Sequence, residues 1–436
     1  MRTSLALLFL VLLPSAGAHT SAQVLPDPLP RRGFVGALVS PGPDGLVVVG
    51  VDPETAAAAG GLRPDDVLAE AAGTPLSDFD TYAAVVRRHM VGDSLTLRVL
   101  RDDASIRVPL VLGERPRESA PDFDVLYTAV EAEGALRRVL VTRPRSTGPH
   151  PAVLLLGGIG CYSLDNPPEN HPYRFLLADL TRRGFVTMRV EKSGMGDSEG
   201  APCAEVDFDV EVAGYAAAAQ AARRYPFVDG DRLFLLGHSI GALSAPVVAG
   251  RVAGVAGVVA ISGGAVPWAE HELRNFRRQL ELGGAPPDAV DLAAATRARC
   301  LHALYVEGKA PDEIRAEEPA CEMSFPAHYT YLQDLSALPL ARLWMEVEAP
   351  VLAVYPTSDF LVAEDEVRRI AEVVNRARPG HATFVALPGV DHYFNAAPTQ
   401  QASFSREQAQ EQGVFAPDAL APITGWLARQ AGLDPP

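Results

Sequence analysis

Leu233-Phe234-Leu235-Leu236-Gly237-His238-Ser239-Ile240-Gly241 is an apolar run that ends in Gly-x-Ser-x-Gly, and small residues from Ala242 to Ala249 follow it. A short apolar run of this kind reads as a strand buried on both faces, and the small-residue stretch as a helix. Glycines on both sides of Ser239 permit a tight strand-to-helix turn, in which strained backbone lifts the serine hydroxyl above the sheet edge. The helix N-terminus behind that turn favours negative charge developing there. Ser239 is therefore a candidate nucleophile.

An unassisted serine hydroxyl is a weak nucleophile and needs a histidine base, itself oriented by a carboxylate. Val351-Leu352-Ala353-Val354-Tyr355-Pro356-Thr357-Ser358-Asp359 places Asp359 just past a buried strand, and Phe384-Val385-Ala386-Leu387-Pro388-Gly389-Val390-Asp391-His392 does the same for His392. Asp365 or Asp391 could serve as the acid instead, and Asp359 could be a helix cap ahead of Val362 to Val374. Of the other histidines, His381 precedes its strand and would lie at the opposite edge. Leu156-Gly157-Gly158-Ile159-Gly160-Cys161 is a glycine-rich loop after another strand; as a phosphate cradle it lacks the Lys and Ser/Thr of a Walker loop.

Outward from these motifs, residues 121–432 alternate apolar strands with helical segments, the pattern of a parallel sheet covered on both faces. Residues 265–345 break the rhythm, carry no strand signal and read as an insertion over the carboxyl ends of the strands. Ahead of a charged, proline-containing linker, Gly113 to Ser119, residues 31–115 form a smaller unit of short strands with helices near Glu54–Ala59 and Phe79–His89. The chain of 436 residues thus divides into two domains. Every catalytic candidate follows the linker, so removal of residues 19–115 is expected to leave hydrolysis of small aryl esters largely unchanged.

The strand–Gly-x-Ser-x-Gly–helix unit, with Asp359 and His392 following in that order, resembles the α/β-hydrolase superfamily. Arg189-Val190-Glu191-Lys192-Ser193-Gly194-Met195-Gly196-Asp197-Ser198-Glu199-Gly200 is similar to the Gly-x-Gly-x-Ser segment after the fourth strand of bacterial esterases, dienelactone-hydrolase-like proteins and prolyl-oligopeptidase relatives, which makes Ser198 a loop residue. The resemblance implies an α/β fold, a mostly parallel sheet flanked by helices with a helical cap. It also implies an oxyanion hole formed by the N–H groups of Ile240 and Ile159, with Gly157-Gly158 standing where the family usually shows His-Gly. Because the third and fourth strands of that sheet are neighbours, it further implies a Cys161–Cys203 disulfide. Cys300 and Cys321 both belong to the cap and would close it on itself.

The front unit resembles the PDZ domains of bacterial exported proteases, which implies a small, mainly β fold. Gly33, Phe34, Val35 and Gly36 occupy the place of the loop that offers backbone N–H groups to a peptide carboxyl terminus. Asp65 departs from the usual glycine, a change expected to affect the turn rather than the groove.

The formal charge of −16 and the lack of any basic block argue against a nucleic-acid partner. Arg2, the apolar run Leu5 to Leu13 and Ala16-Gly17-Ala18 read as a signal peptide over residues 1–18, hence a periplasmic or extracellular protein without an integral membrane segment after cleavage. Four cysteines behind an export signal favour disulfides over metal ligation, since there is no CxxC pair and only His302 lies close to a cysteine. The expected function is an exported serine hydrolase that cleaves a carboxylic ester through an acyl-enzyme, with no metal or organic cofactor. The alternatives are a serine peptidase that uses the PDZ-like module to hold peptides and, in a different class, a binding protein on a hydrolase scaffold.

Overall fold

A computed structural model describes residues 29–323 and 326–433; the signal-peptide reading of residues 1–18 lies outside them. The larger domain is built on eight strands: β1 (Phe123–Ala132), β2 (Ala135–Pro144), β3 (His150–Leu156), β4 (Val186–Val190), β5 (Val228–His238), β6 (Val255–Ile261), β7 (Val351–Pro356) and β8 (Ala382–Leu387). They lie in the order β8-β7-β6-β5-β3-β4-β2-β1, with β3 to β8 mutually parallel and β2 antiparallel to both β4 and β1. β4 and β7 are buried along their whole length. That is the burial expected of strands covered on both faces, and it explains their unbroken apolar sequences.

Helices α1 (Pro172–Arg182), α2 (Phe208–Ala222) and α3 (Ile240–Arg251) follow β3, β4 and β5. Between β6 and β7 run α4 (Trp268–Leu282), α5 (Pro287–Tyr305), α6 (Pro311–Glu317), α7 (Tyr329–Ala337) and α8 (Leu340–Glu346), and α9 (Glu364–Ala377) joins β7 to β8. Residues of α2, α3, α8 and α9 close one face of the sheet; those of α1 and the last helix, Ala421–Gln430, close the other. Sequence pattern does not reveal β1. Asp124, Thr128 and Glu131 interrupt its apolar residues, and it pairs as an edge strand with β2 through a turn at Glu133 and Gly134 (φ 52° and 70°).

The front unit carries its own core and a sheet in the order Ala37–Gly42, Gly45–Val51, Val67–Ala71, Ser94–Arg101, Ala104–Val111. Asp65 has φ 72°, a left-handed conformation that accounts for the glycine usual there. Gly33–Phe34 pairs with Gly113–Glu114, so the chain enters and leaves the unit side by side.

The two domains are not independent. Arg31, buried at their junction, places Nη1 2.7 Å from Asp165 and 2.6 Å from Asp197, both in the larger domain. Arg138 also pairs with Asp197, Tyr127 donates to Asp165, and Arg115 donates to Ser163. Removal of residues 19–115 would take Arg31 away from both acids and Arg115 away from Ser163, leaving Asp165 with the Tyr127 hydroxyl and Asp197 with Arg138. The expectation that the front unit is dispensable for small esters is thus joined to a junction in which one buried guanidinium balances two buried carboxylates.

Candidate active site

Ser239 stands between β5 and α3 with φ 57° and ψ −122°, far from the ordinary wells of an L-residue. Its flanking glycines are required by space: a Cβ on Gly237 would come 2.3 Å from the Gly241 carbonyl oxygen, and one on Gly241 would come 2.0 Å from that of Leu156. The turn is tight because backbone packs on backbone where β3 and β5 run side by side.

Asp359 and His392 follow the ends of β7 and β8. His392 Nδ1 lies 2.8 Å from Asp359 Oδ2, and Asp359 Oδ1 accepts from the N–H groups of Leu361 (2.8 Å) and Val362 (3.0 Å). Burial pushes the Asp359 carboxyl up, but His392 and the backbone donors outweigh it, and the acid ends below its ordinary pKa. Burial likewise pushes His392 down, while the charge and hydrogen bond of Asp359 raise it above the ordinary histidine value. The other acids are engaged elsewhere. Asp391 accepts from the N–H groups of Tyr393 and Asn395 and pairs with Arg406, and exposed Asp365 pairs with Arg274. Asp359 is no helix cap either, since α9 starts after Ala363.

Ile240 opens α3, and the loop after β3 brings Gly158 against Ser239, so that a Cβ on Gly158 would lie 3.5 Å from the serine Cβ. Among the described residues the N–H groups of Ile159 and Ile240 donate to no protein group. Buried side chains hold the rest of the loop: Tyr215 accepts from Gly157 N–H (3.1 Å), Tyr173 accepts from Gly158 N–H (3.3 Å), and Lys192 Nζ donates to the Gly158 carbonyl (2.7 Å). A disulfide joins Cys161 at the end of this loop to Cys203, and a second joins Cys300 to Cys321.

His238, the variable residue before the serine, has a place that sequence alone did not suggest. Its Nε2 lies 2.9 Å from the His392 carbonyl, which can only accept, so Nε2 carries the proton and Nδ1 accepts from the Tyr173 hydroxyl at 2.6 Å. Burial, then the nearby His392, push its pKa down to about 3, so it stays neutral at neutral pH. A buried chain of hydrogen bonds therefore runs from Gly158 through Tyr173 and His238 to the backbone of His392. A histidine inside the Gly-x-Ser-x-Gly motif was the only sequence signal for it.

Ser239, His392, Ile159 and Ile240 line one cavity of about 1040 Å³. Its floor is these loops; its roof is largely α4, through Trp268, His271, Glu272, Asn275, Phe276 and Gln279. Roof polar groups are paired: His271 with Glu366, and Glu272 with Arg297 and Tyr305. Gly33, Phe34, Val35 and Gly36 are not part of it. Val35 is buried with its carbonyl taken by Ala57 N–H, Gly36 accepts from Asp52 N–H, and the Phe34 ring lies under Arg115. Among the described residues the neighbouring strand Ala37–Gly42 has an unpaired edge, with Leu38 exposed. Among the described residues no group of three His, Cys, Asp or Glu is placed to hold a metal ion, and no helix is long and apolar enough to cross a membrane.

Residues 153–403 match the model of the alpha/beta hydrolase family, and residues 33–111 match that of the PDZ domain. Esterase EstD of Thermotoga maritima is 25% identical over 229 residues, 52% of this chain and 50% of that protein. The chain thus spans about half the length of the curated relative it matches. An esterase from Pyrococcus furiosus is similar over 73% of this chain and 96% of its own, with a TM-score of 0.44 and 14% identity. Est1E from Butyrivibrio proteoclasticus, solved with ferulic acid bound, is similar over 65% and 98%, with a TM-score of 0.42 and 14% identity.

Proposed function

The chain belongs to the alpha/beta hydrolase family and carries a PDZ domain in front, and from that premise we propose that it is an exported serine hydrolase acting on carboxylic esters. The observation that carries this reading is the buried Asp359–His392 pair opening onto the same cavity as Ser239 in its strained turn. In the proposed cycle neutral His392 takes the Ser239 proton as the hydroxyl oxygen attacks the ester carbonyl. The N–H groups of Ile159 and Ile240 hold the oxyanion, and Asp359 stabilises the imidazolium. His392 then protonates the departing alcohol, and a water activated by the same base releases the acid from Ser239. Two disulfides favour an oxidising compartment, in keeping with export.

The peptidase reading has one observation in its favour: the edge of the Ala37–Gly42 strand beside the Gly33–Gly36 loop, unpaired among the described residues, where a peptide could add as a further strand. A panel of aryl esters against aminoacyl and peptidyl amides separates the two. Ester turnover with amide turnover at background supports the proposal; efficient amide cleavage with negligible ester cleavage overturns it.

A further inference from the structure

Lys192 lies two residues past β4 with its side chain only 5% exposed, as is that of its partner Glu211 on α2, 2.9 Å away. Taking an ammonium group out of water is costly, so what its remaining donors reach is informative. One reaches the Gly158 carbonyl at 2.7 Å, and the Tyr162 hydroxyl donates to the same oxygen at 3.2 Å. Glu211 in turn accepts from the hydroxyls of Tyr215 (3.4 Å) and Tyr331 (3.3 Å), so the lysine is anchored from behind.

That carbonyl belongs to the peptide whose other end is the Ile159 N–H. The peptide is planar and trans, so C=O and N–H point in opposite directions, and fixing one fixes the other. Glycines at 157, 158 and 160 leave this loop few barriers of its own against a flip of the peptide plane. A flipped plane would turn a carbonyl oxygen, instead of a donor, toward the developing negative charge. We propose that Lys192, held by Glu211, is a positioning residue that keeps the Ile159 N–H aimed at the oxyanion.

This inference rests on the role given above to Ser239 and Ile159, and kinetics on the full chain test it. Lys192→Met with Glu211→Gln removes both charges together and leaves neither unpaired; Lys192→Met alone is the second variant. Removing an oxyanion donor costs about 10²–10³ in kcat, so losing its orientation is expected to lower kcat on p-nitrophenyl acetate by roughly 10- to 100-fold. KM should stay within about threefold, the split that marks an interaction made only in the transition state. A trifluoromethyl ketone, which forms a tetrahedral oxyanion on the serine, should weaken by the same factor as kcat/KM. A folded double variant with kcat within about threefold of the parent overturns the proposal, as does a loss carried by KM alone. Loss of the fold in both variants also counts against it, because the pair would then be structural. A parent protein with no ester turnover and no reaction with the ketone would instead overturn the reading of the site.

Discussion

The floor and the roof of the cavity are made by different means. The floor consists of loops leaving the carboxyl ends of β3, β5, β7 and β8, where backbone presses on backbone: Gly241 admits no Cβ because Leu156 is in its place, and Ser239 is held at φ 57°. The roof is a set of helices whose side chains meet one another, as Glu272 does Arg297 and Tyr305. Substitution in the floor should change whether the reaction occurs. Substitution in the roof should change which substrate is taken.

The largest expected effect lies in the floor. Ser239→Ala or His392→Ala should lower kcat on the order of 10⁶-fold with the fold retained, and Asp359→Asn roughly 10⁴-fold, as steady-state assays with circular dichroism would record. Near-normal turnover in Asp359→Asn, with a collapse in Asp391→Asn, would move the acid to a residue the structure ties to Arg406. Next comes the support beneath the floor. Arg31→Met should destabilise the protein by about 3–5 kcal/mol in denaturant unfolding, since it leaves Asp165 and Asp197 short of a buried partner. A change below about 1 kcal/mol would show that the front domain rests on the larger one without supporting it.

The pH profile probes the floor without mutation. In the proposed cycle it is neutral His392 that accepts the serine proton, and Asp359 raises its pKa, so kcat/KM should fall as pH drops through a value above the ordinary histidine 6.5. In Asp359→Asn that limb should move to lower pH, because the charge that favours the imidazolium is gone. The smallest effects belong to the roof: Asn275→Ala or Gln279→Ala should leave kcat/KM on acetate esters within about threefold while altering the ranking of bulkier esters. A collapse on acetate esters would mean that α4 helps to position the reacting groups.

The same contrast explains how much could be read from sequence. Floor residues are restricted in type by backbone geometry and spaced by the strand period, so Ser239, Asp359 and His392 stand out, and the structure brings the three to one end of the sheet. Nothing in the backbone restricts the residues of α4 in that way, so the pattern marks an insertion but not its lining. Pairings distant along the chain leave no local trace either: Arg31 meets Asp165 across 134 residues and Asp197 across 166. Lys192 and His238 lie within the two glycine-containing motifs, yet their partners come from other elements. β1 leaves no clean pattern because polar residues interrupt its apolar ones, although it pairs with β2 along its whole length.

The central claim is that Ser239 carries the acyl group. Treatment of the full-length protein with a fluorophosphonate, followed by peptide mapping and parallel assay of ester hydrolysis, tests it most directly. The account predicts one adduct, on Ser239, with activity lost in proportion to labelling and no labelling of Ser239→Ala. An adduct on another serine that abolishes activity, or hydrolysis that persists when Ser239 is fully modified, would contradict it.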